Sequence, residues 1–324
     1  MARIVITEFM DERAVAQLGA RHDVLYAPTL VDDAPRLLAE AATAHALIVR
    51  NRTAVRGGLL AALARCKVVG RLGVGLDNID LPGCAARQMQ VIPATGANAL
   101  SVAEYVITSA LLLRGAYAAT PVVAAGQWPR TALSSGREIA GKTLGLIGFG
   151  SIGQRTAGLA RALGMQVLAF DAALGAGHPA FAQHGVGCAG LDELMASCDG
   201  VSLHVPLTEG TRGLLSAARI AAMQPGAVLI NTARSGIIDE PALAAALRSG
   251  QLGGAAIDVF ASEPLPVSPH FDGCPQPAAD TAYRRRHRRG QRARQLLDRR
   301  AGAGGAGIAG ITGISGITGM TWPL

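Results

Sequence analysis

Short apolar runs alternate with amphipathic, helix-length stretches from the first residues to about residue 260. The runs Arg3–Thr7, Ala46–Arg50, Lys67–Arg71 and Gln90–Pro93 read as strands. Asp11–Leu18 and Ala34–Ala42 read as helices between them. The runs are continuously apolar rather than alternating, which is how a strand buried on both faces reads. A βαβα rhythm of this kind predicts a parallel sheet covered by helices on both sides. Asn98–Leu113 predicts a long apolar-faced helix, with Ser101 and Glu104 as capping-box candidates near its start. Pro121 through Gly136 breaks the pattern. A second run follows, with strands at Thr143–Gly148, Met165–Asp171, Gly200–Val205, Ala227–Thr232 and Ala255–Val259. Ile152–Leu163, Leu191–Ser197, Ser216–Met223 and Glu240–Ser249 are its helices. The simplest reading is two α/β units joined near residue 98, with domains at 1–98 and 99–274 and an irregular tail over 275–324.

Length and composition agree with that division. The chain has 324 residues, half of them hydrophobic and 16% charged, which suits two domains and excludes disorder or coiled coil throughout. The net charge of +7 is confined to the tail. Residues 1–274 carry 21 basic and 21 acidic side chains, whereas the last 50 residues carry nine Arg and two Asp. The run Tyr283-Arg-Arg-Arg-His-Arg-Arg-Gly290 has no interleaved aromatics, so specific nucleic-acid recognition is not expected. Residues 307–319 repeat a Gly-Ile-Xaa triplet without proline, a low-complexity pattern that is not collagen. Five cysteines at unrelated spacings predict free thiols in a reducing, cytoplasmic setting and no metal site. Glu8 and Asp11 come too early for a signal peptide, and the Gly-rich stretch 301–324 does not suit a membrane span.

The most informative motif is Gly148-Phe-Gly150-Ser-Ile-Gly153, which follows a strand and opens a helix. In this GxGxxG pattern Gly148 permits a tight turn, Gly150 lets backbone approach a diphosphate, and Gly153 allows close helix–strand packing. The amides of Ser151 and Ile152 begin the helix, where the dipole favours anions. Asp171 ends the next strand, 18 residues after Gly153. A carboxylate there suits the ribose 2′-hydroxyl and repels a 2′-phosphate, so NAD is expected rather than NADP. The alternative is a Gly-rich turn beside a solvated Asp. Three more strand exits carry chemistry: Leu203-His-Val-Pro-Leu-Thr208, Ile230-Asn-Thr-Ala-Arg-Ser-Gly236 and Ala256-Ile-Asp-Val-Phe-Ala-Ser-Glu-Pro264. The Arg234 fork can clamp a carboxylate or carbonyl. It could equally be a surface ion-pair partner, and Glu263 a solvated turn acid.

Taken in order, these segments resemble the D-isomer-specific 2-hydroxyacid dehydrogenases, the phosphoglycerate dehydrogenase-like family. Arg71-Leu-Gly-Val-Gly-Leu-Asp-Asn-Ile-Asp80 and Gly96-Ala-Asn-Ala-Leu-Ser-Val-Ala-Glu104 complete the match, which covers roughly residues 1–270. The resemblance implies a flavodoxin-like substrate domain followed by a Rossmann NAD domain. It implies hydride exchange between nicotinamide and C2 of a 2-hydroxy or 2-oxo acid. Gly73, Val74 and Gly75 would hold the substrate carboxylate. Arg234 and Glu263 map to the catalytic arginine and glutamate. Ser151, Ile152, Asp171, Thr232, Ala233, Arg234 and Asp258 map to cofactor contacts, and His204 resembles a position beside the cofactor. Without the resemblance, His204 reads as a satisfied histidine at a strand end. Arg50 and Arg52 either bind a phosphate on the substrate or cap a loop. A homodimer is also implied by resemblance.

One family segment is missing. About 20 residues after the glutamate the family carries a stretch resembling Leu-Leu-Thr-Pro-His-Ile-Ala-Gly, whose histidine serves as the proton donor. Here the chain reads Pro-Gln-Pro-Ala-Ala-Asp-Thr-Ala-Tyr-Arg-Arg-Arg-His after Cys274. His287 has five flanking arginines, which would depress its pKa, so it is not assigned that role. Residues 276–287 can be encoded so that reading one nucleotide later yields Asn-Leu-Leu-Leu-Thr-Pro-His-Ile-Ala-Gly-Val. A single-nucleotide frameshift near codons 273–276 is therefore expected, the alternative being a natural divergent tail. Two other function classes remain in view: a non-catalytic NAD-binding regulator, and non-specific phosphate binding by the arginine run.

Overall fold

In the computed structural model, the described residues are 1–113, 123–128, 130, 137–260, 271 and 274. They divide into two compact units, one formed by Met1–Asn98 and the other beginning at Ala99. Each unit is an α/β layer structure around an entirely parallel sheet.

The first unit runs β1 (Arg3–Ile6), α1 (Glu12–Gly19), β2 (Asp23–Tyr26), α2 (Ala34–Thr43), β3 (Ala46–Val49), α3 (Gly57–Ala62), β4 (Val68–Arg71), α4 (Leu81–Ala86) and β5 (Gln90–Pro93). Its strand order is β2-β1-β3-β4-β5, the flavodoxin-like arrangement, which reverses direction between β1 and β3. Every residue of β3 is buried, as is Ile4–Ile6 of β1, which accounts for their unbroken apolar sequences. One face of the sheet packs Val5, Leu47 and Val69 with Leu37, Leu60 and Cys84. The other packs Ile4, Ile6 and Ile48 with Met10 and Leu18.

The second unit opens with α5 (Ala99–Leu113) and continues β6 (Thr143–Ile147), α6 (Ser151–Ala162), β7 (Gln166–Phe170), α7 (Pro179–Gln183), β8 (Gly187–Cys188), α8 (Leu191–Ser197), β9 (Gly200–Leu203), α9 (Ala217–Ala221), β10 (Ala227–Asn231), α10 (Glu240–Arg248) and β11 (Leu252–Ile257). Its order, β11-β10-β9-β6-β7-β8, is the Rossmann arrangement. The chain reverses between β6 and β9.

Helix starts are written locally. Asp33-Ala34-Pro35, Asp80-Leu81-Pro82 and Asp239-Glu240-Pro241 share one pattern at α2, α4 and α10. In each, the aspartate side chain caps an amide of the first turn and the proline lacks a donor that the helix could not use. Ser101 is not a cap: α5 already begins at Ala99, and Ser101 is buried within it.

The short edge strands β2 and β8 are not among the strands expected from the sequence: β8 is only Gly187–Cys188, whereas β2 carries an apolar run, Val24-Leu25-Tyr26, like that of its neighbour β1. The last strand begins at Leu252, three residues before the expected Ala255. Its two glycines hide it. A Cβ on Gly253 would lie 2.5 Å from the Gly226 carbonyl oxygen, and one on Gly254 would lie 2.7 Å from the Leu113 side chain. No helix among the described residues is long and apolar enough to cross a membrane.

These contacts distinguish two glycines. Gly253→Ala is expected to lower stability by roughly 1–3 kcal/mol, because backbone must shift to admit the methyl group. Gly158→Ala, on the exposed side of α6 with nothing within 4 Å, is expected to raise it by about 0.5–1 kcal/mol. Urea unfolding midpoints of the two variants check both signs.

Candidate functional site

In the second unit the glycine loop leaves β6 at the strand-order reversal, the position where open α/β sheets bind ligands. Gly148 has a φ of +98°, and a Cβ there would lie 2.7 Å from the His204 carbonyl oxygen. Only glycine lets β6 turn this close to the exit of β9. A Cβ on Gly153 would overlap the Gly148 carbonyl oxygen, so α6 can sit against the loop only with glycine there. Gly150 differs from both. It precedes α6 as its N-cap, and a Cβ on it meets nothing within 4 Å. The space beside Gly150 is open, and Ser151 and Ile152 begin a twelve-residue helix whose first amides have no acceptor within the helix. That combination fits a diphosphate.

Asp171 stands at the exit of β7. Its Oδ2 accepts from the Phe149 amide at 2.7 Å, and its Oδ1 from the Ala173 amide at 2.9 Å. The carboxylate is thereby fixed beside the glycine loop. His204 follows β9 and is half-buried, its amide donating to the Ile147 carbonyl at 2.7 Å.

The exit of β10 is shaped by a residue the motif reading passed over. Buried Asn231 accepts from the Ala233 amide at 3.0 Å and donates to the Arg234 carbonyl at 2.9 Å. This side-chain turn places Thr232, Ala233 and Arg234 at the end of the sheet. The Thr232 hydroxyl is buried without a hydrogen-bond partner, an orphan that a bound carboxamide could satisfy. Arg234 is half-buried and donates to the Ala233 carbonyl at 2.7 Å. The Asp258 amide donates to the Asn231 carbonyl, so the β11 exit lies beside the same turn. Glu263 lies outside the described residues, as do His287 and the whole of the 275–324 tail.

The first unit has its own exit loops. Val74 is exposed and Gly75 partly so, beyond β4. A Cβ on Gly73 would meet only the Arg71 guanidinium, the far end of a flexible side chain that can swing aside. Arg52 is exposed and forms a two-pronged ion pair with Asp32. Arg50 and Arg52 follow β3 in a loop held by a buried acid, Glu8. Its carboxylate accepts from the amides of Arg50 (2.9 Å), Asn51 (3.3 Å), Arg52 (3.1 Å) and Thr53 (3.0 Å). Burial pushes the Glu8 pKa up, but the amide bonds from Thr53, Arg50 and Arg52 outweigh it and hold the carboxyl below its usual range. In the sequence, the available signal was an acid two residues beyond a strand, at the end where loops gather.

Among the described residues no group of three or more His, Cys, Asp or Glu could hold a metal ion. Cys66, Cys84, Cys188 and Cys198 are free thiols. Burial pushes the Cys66 and Cys198 thiols up to about 11, so neither is a nucleophile near neutral pH.

A family model described as the NAD-binding domain of D-isomer-specific 2-hydroxyacid dehydrogenases matches residues 107–277. The (S)-sulfolactate dehydrogenase of Chromohalobacter salexigens is 52% identical over 274 residues, which are 84% of this chain and 88% of that protein. The chain belongs to the D-isomer-specific 2-hydroxyacid dehydrogenase family. The D-3-phosphoglycerate dehydrogenase of Mycobacterium leprae is 39% identical over 274 residues, and the chain spans about half of its length, the match covering 50% of that protein. A glyoxylate reductase crystal structure from Paecilomyes thermophila superimposes with a TM-score of 0.78 at 26% identity, covering 92% of this chain and 93% of that one. The cofactor of the family is NAD, and the second unit is its NAD-binding domain.

Two expectations follow from the geometry. Gly150→Ala should fold normally yet weaken NAD binding by about tenfold or more, because its methyl group would take space a diphosphate needs. Isothermal titration with NAD checks the affinity and urea unfolding the fold. Glu8 has a folded pKa below its unfolded value, so its stabilising contribution is complete above about pH 4.5 and is lost as pH falls through the lower, folded value. Unfolding midpoints across the acid range should therefore drop more steeply in the parent than in Glu8→Gln.

Proposed function

We propose that the chain is built to interconvert a 2-hydroxy acid and its 2-oxo acid, where the acid carries a second anionic group of the sulfolactate class. The observation that carries this reading is the 52% identity to a protein named for (S)-sulfolactate, over most of both chains. The stereochemistry is consistent with a D-specific family. In sulfolactate the sulfur-bearing branch outranks the carboxylate in naming priority, so its S isomer has the same handedness at C2 as D-3-phosphoglycerate.

NAD, when bound, supplies the acceptor or donor of the hydride at C2. The residues that would hold it are Gly148, Gly150, Ser151, Ile152, Gly153, Asp171, His204, Thr232, Ala233, Arg234 and Asp258. Arg234 would bind the substrate carboxylate and polarise the C2 oxygen. Gly73, Val74 and Gly75 would present backbone to that carboxylate. Arg50 and Arg52 would meet the second anionic group. The Arg52–Asp32 pair is exposed and screened by solvent, so an incoming anion can displace Asp32. Oxidation also requires a base for the C2 hydroxyl proton, and Glu263 would support a histidine in that role. That histidine belongs to the segment that a one-nucleotide shift near codons 273–276 restores. Assembly as a cytoplasmic homodimer completes the reading.

The test compares the chain as written with a frame-restored version, following NADH formation with (S)-sulfolactate, D-3-phosphoglycerate and D-lactate. The restored chain should oxidise sulfolactate, and the chain as written should be about 10²–10⁴-fold slower. In the restored chain, Arg234→Gln should cost about 10²–10³-fold in kcat/KM. A restored chain that binds NAD but oxidises none of the three acids would remove the reading in favour of a non-catalytic NAD-binding protein.

A further inference from the structure

Glu8 is 5% exposed and sits at the exit of β1, and the Arg50–Thr53 loop leaves β3. These are the two neighbouring strands between which the order of the first sheet reverses. Ligands in open α/β sheets gather at such a reversal. Four consecutive backbone amides, from Arg50 to Thr53, converge on the one carboxylate. Amides in this arrangement form an anion-binding nest, and here the protein fills it with its own acid.

The ends of the loop are braced as well. The Thr7 and Thr53 hydroxyls are 2.8 Å apart, and the Asn78 side-chain amide donates to the carbonyls of Thr53 at 2.7 Å and Arg50 at 3.3 Å. The backbone of residues 50–53 is therefore held at both its amides and its carbonyls, while the Arg52 side chain leaves the loop for an exposed pairing with Asp32. A loop with a fixed backbone and an exchangeable cationic side chain is suited to meeting a charged group at a defined distance.

We propose that Glu8 is a positioning residue for substrate selection, fixing the Arg50–Thr53 loop so that its arginines meet the second anionic group of a 2-hydroxy acid. This rests on the substrate reading given above. Because the nest amides are already taken, the discrimination falls to the arginine side chains rather than to backbone. Glu8→Gln keeps the size of the side chain but replaces one accepting oxygen with a donor facing amides, so the loop should lose its fixed geometry.

The test is titration of the full chain with (S)-sulfolactate and with D-lactate, both in the presence of NADH, a pairing that cannot react. The parent should bind sulfolactate more tightly than D-lactate. Glu8→Gln should weaken sulfolactate binding about tenfold, as misplacement of a positioning group does, and leave D-lactate and NADH binding within about twofold. Glu8→Asp, which keeps the charge, should recover part of the loss. Equal weakening of both acids would make Glu8 a general scaffold residue and overturn the proposal, as would unchanged sulfolactate binding. A parent that shows no preference between the acids would overturn the substrate reading itself, visible before any substitution, and the role of Glu8 would fall with it.

Discussion

Parallel strand alignment is the constraint on which the rest of this structure depends. When every strand in a sheet runs the same way, all of their C-terminal ends open along one edge. Residues far apart in sequence then become neighbours without any specific pairing between them. Gly148, Asp171, His204, Thr232 and Asp258 are all residues that immediately follow a strand of the second unit. Thr7, Arg50 and Leu72 have the same relation to the first. The sheets must be buried on both faces to be stable in this form, which is why their sequences are so apolar and why polar residues concentrate at the exits.

The exits are held close by small residues and by side chains that imitate backbone. Glycine at 148 and 153 removes the atom that would keep the loop, β9 and α6 apart. Asn231 and Asp171 do the opposite work, supplying acceptors where the chain has left the ladder and its amides have lost their partners. A turn braced in this way needs no further packing to hold its shape. It can therefore stand at the edge of the core and still present Thr232 or Arg234 in a fixed position.

What was legible in the sequence follows from this division. Buried strands announced themselves, because burial on two faces leaves short unbroken apolar runs. Their ends did not. Thr7, Arg50, Asp171 and Thr232 continue an apolar run or close it, so a reading by hydrophobicity carried each strand one residue too far, into the residues that turn out of the sheet. β8 was invisible because two residues make no run, whereas β2, with Val24-Leu25-Tyr26, was legible and went unread. The glycine motif was legible because its three positions have different steric demands in a fixed order. Glu8 was not, since the four amides it gathers come from more than forty residues away and have no sequence signature of their own.

Two clusters of backbone amides in this chain show how the same chemistry is directed to different ends. In the first unit the amides of residues 50–53 are satisfied by an internal carboxylate, nearly complete in its burial. In the second, the acid nearest the glycine loop, Asp171, takes the Phe149 amide and leaves the start of α6 facing open space beside Gly150. A nest filled from within can only stiffen the chain around it, because an outside anion would have to compete with a carboxylate already desolvated and bonded. An open nest at a helix start can bind from solution, because its amides give up only water. The placement of one acidic side chain therefore decides whether a cluster of amides becomes a brace or a binding site. The first unit gains a rigid platform for its arginines, and the second keeps its backbone donors for a ligand.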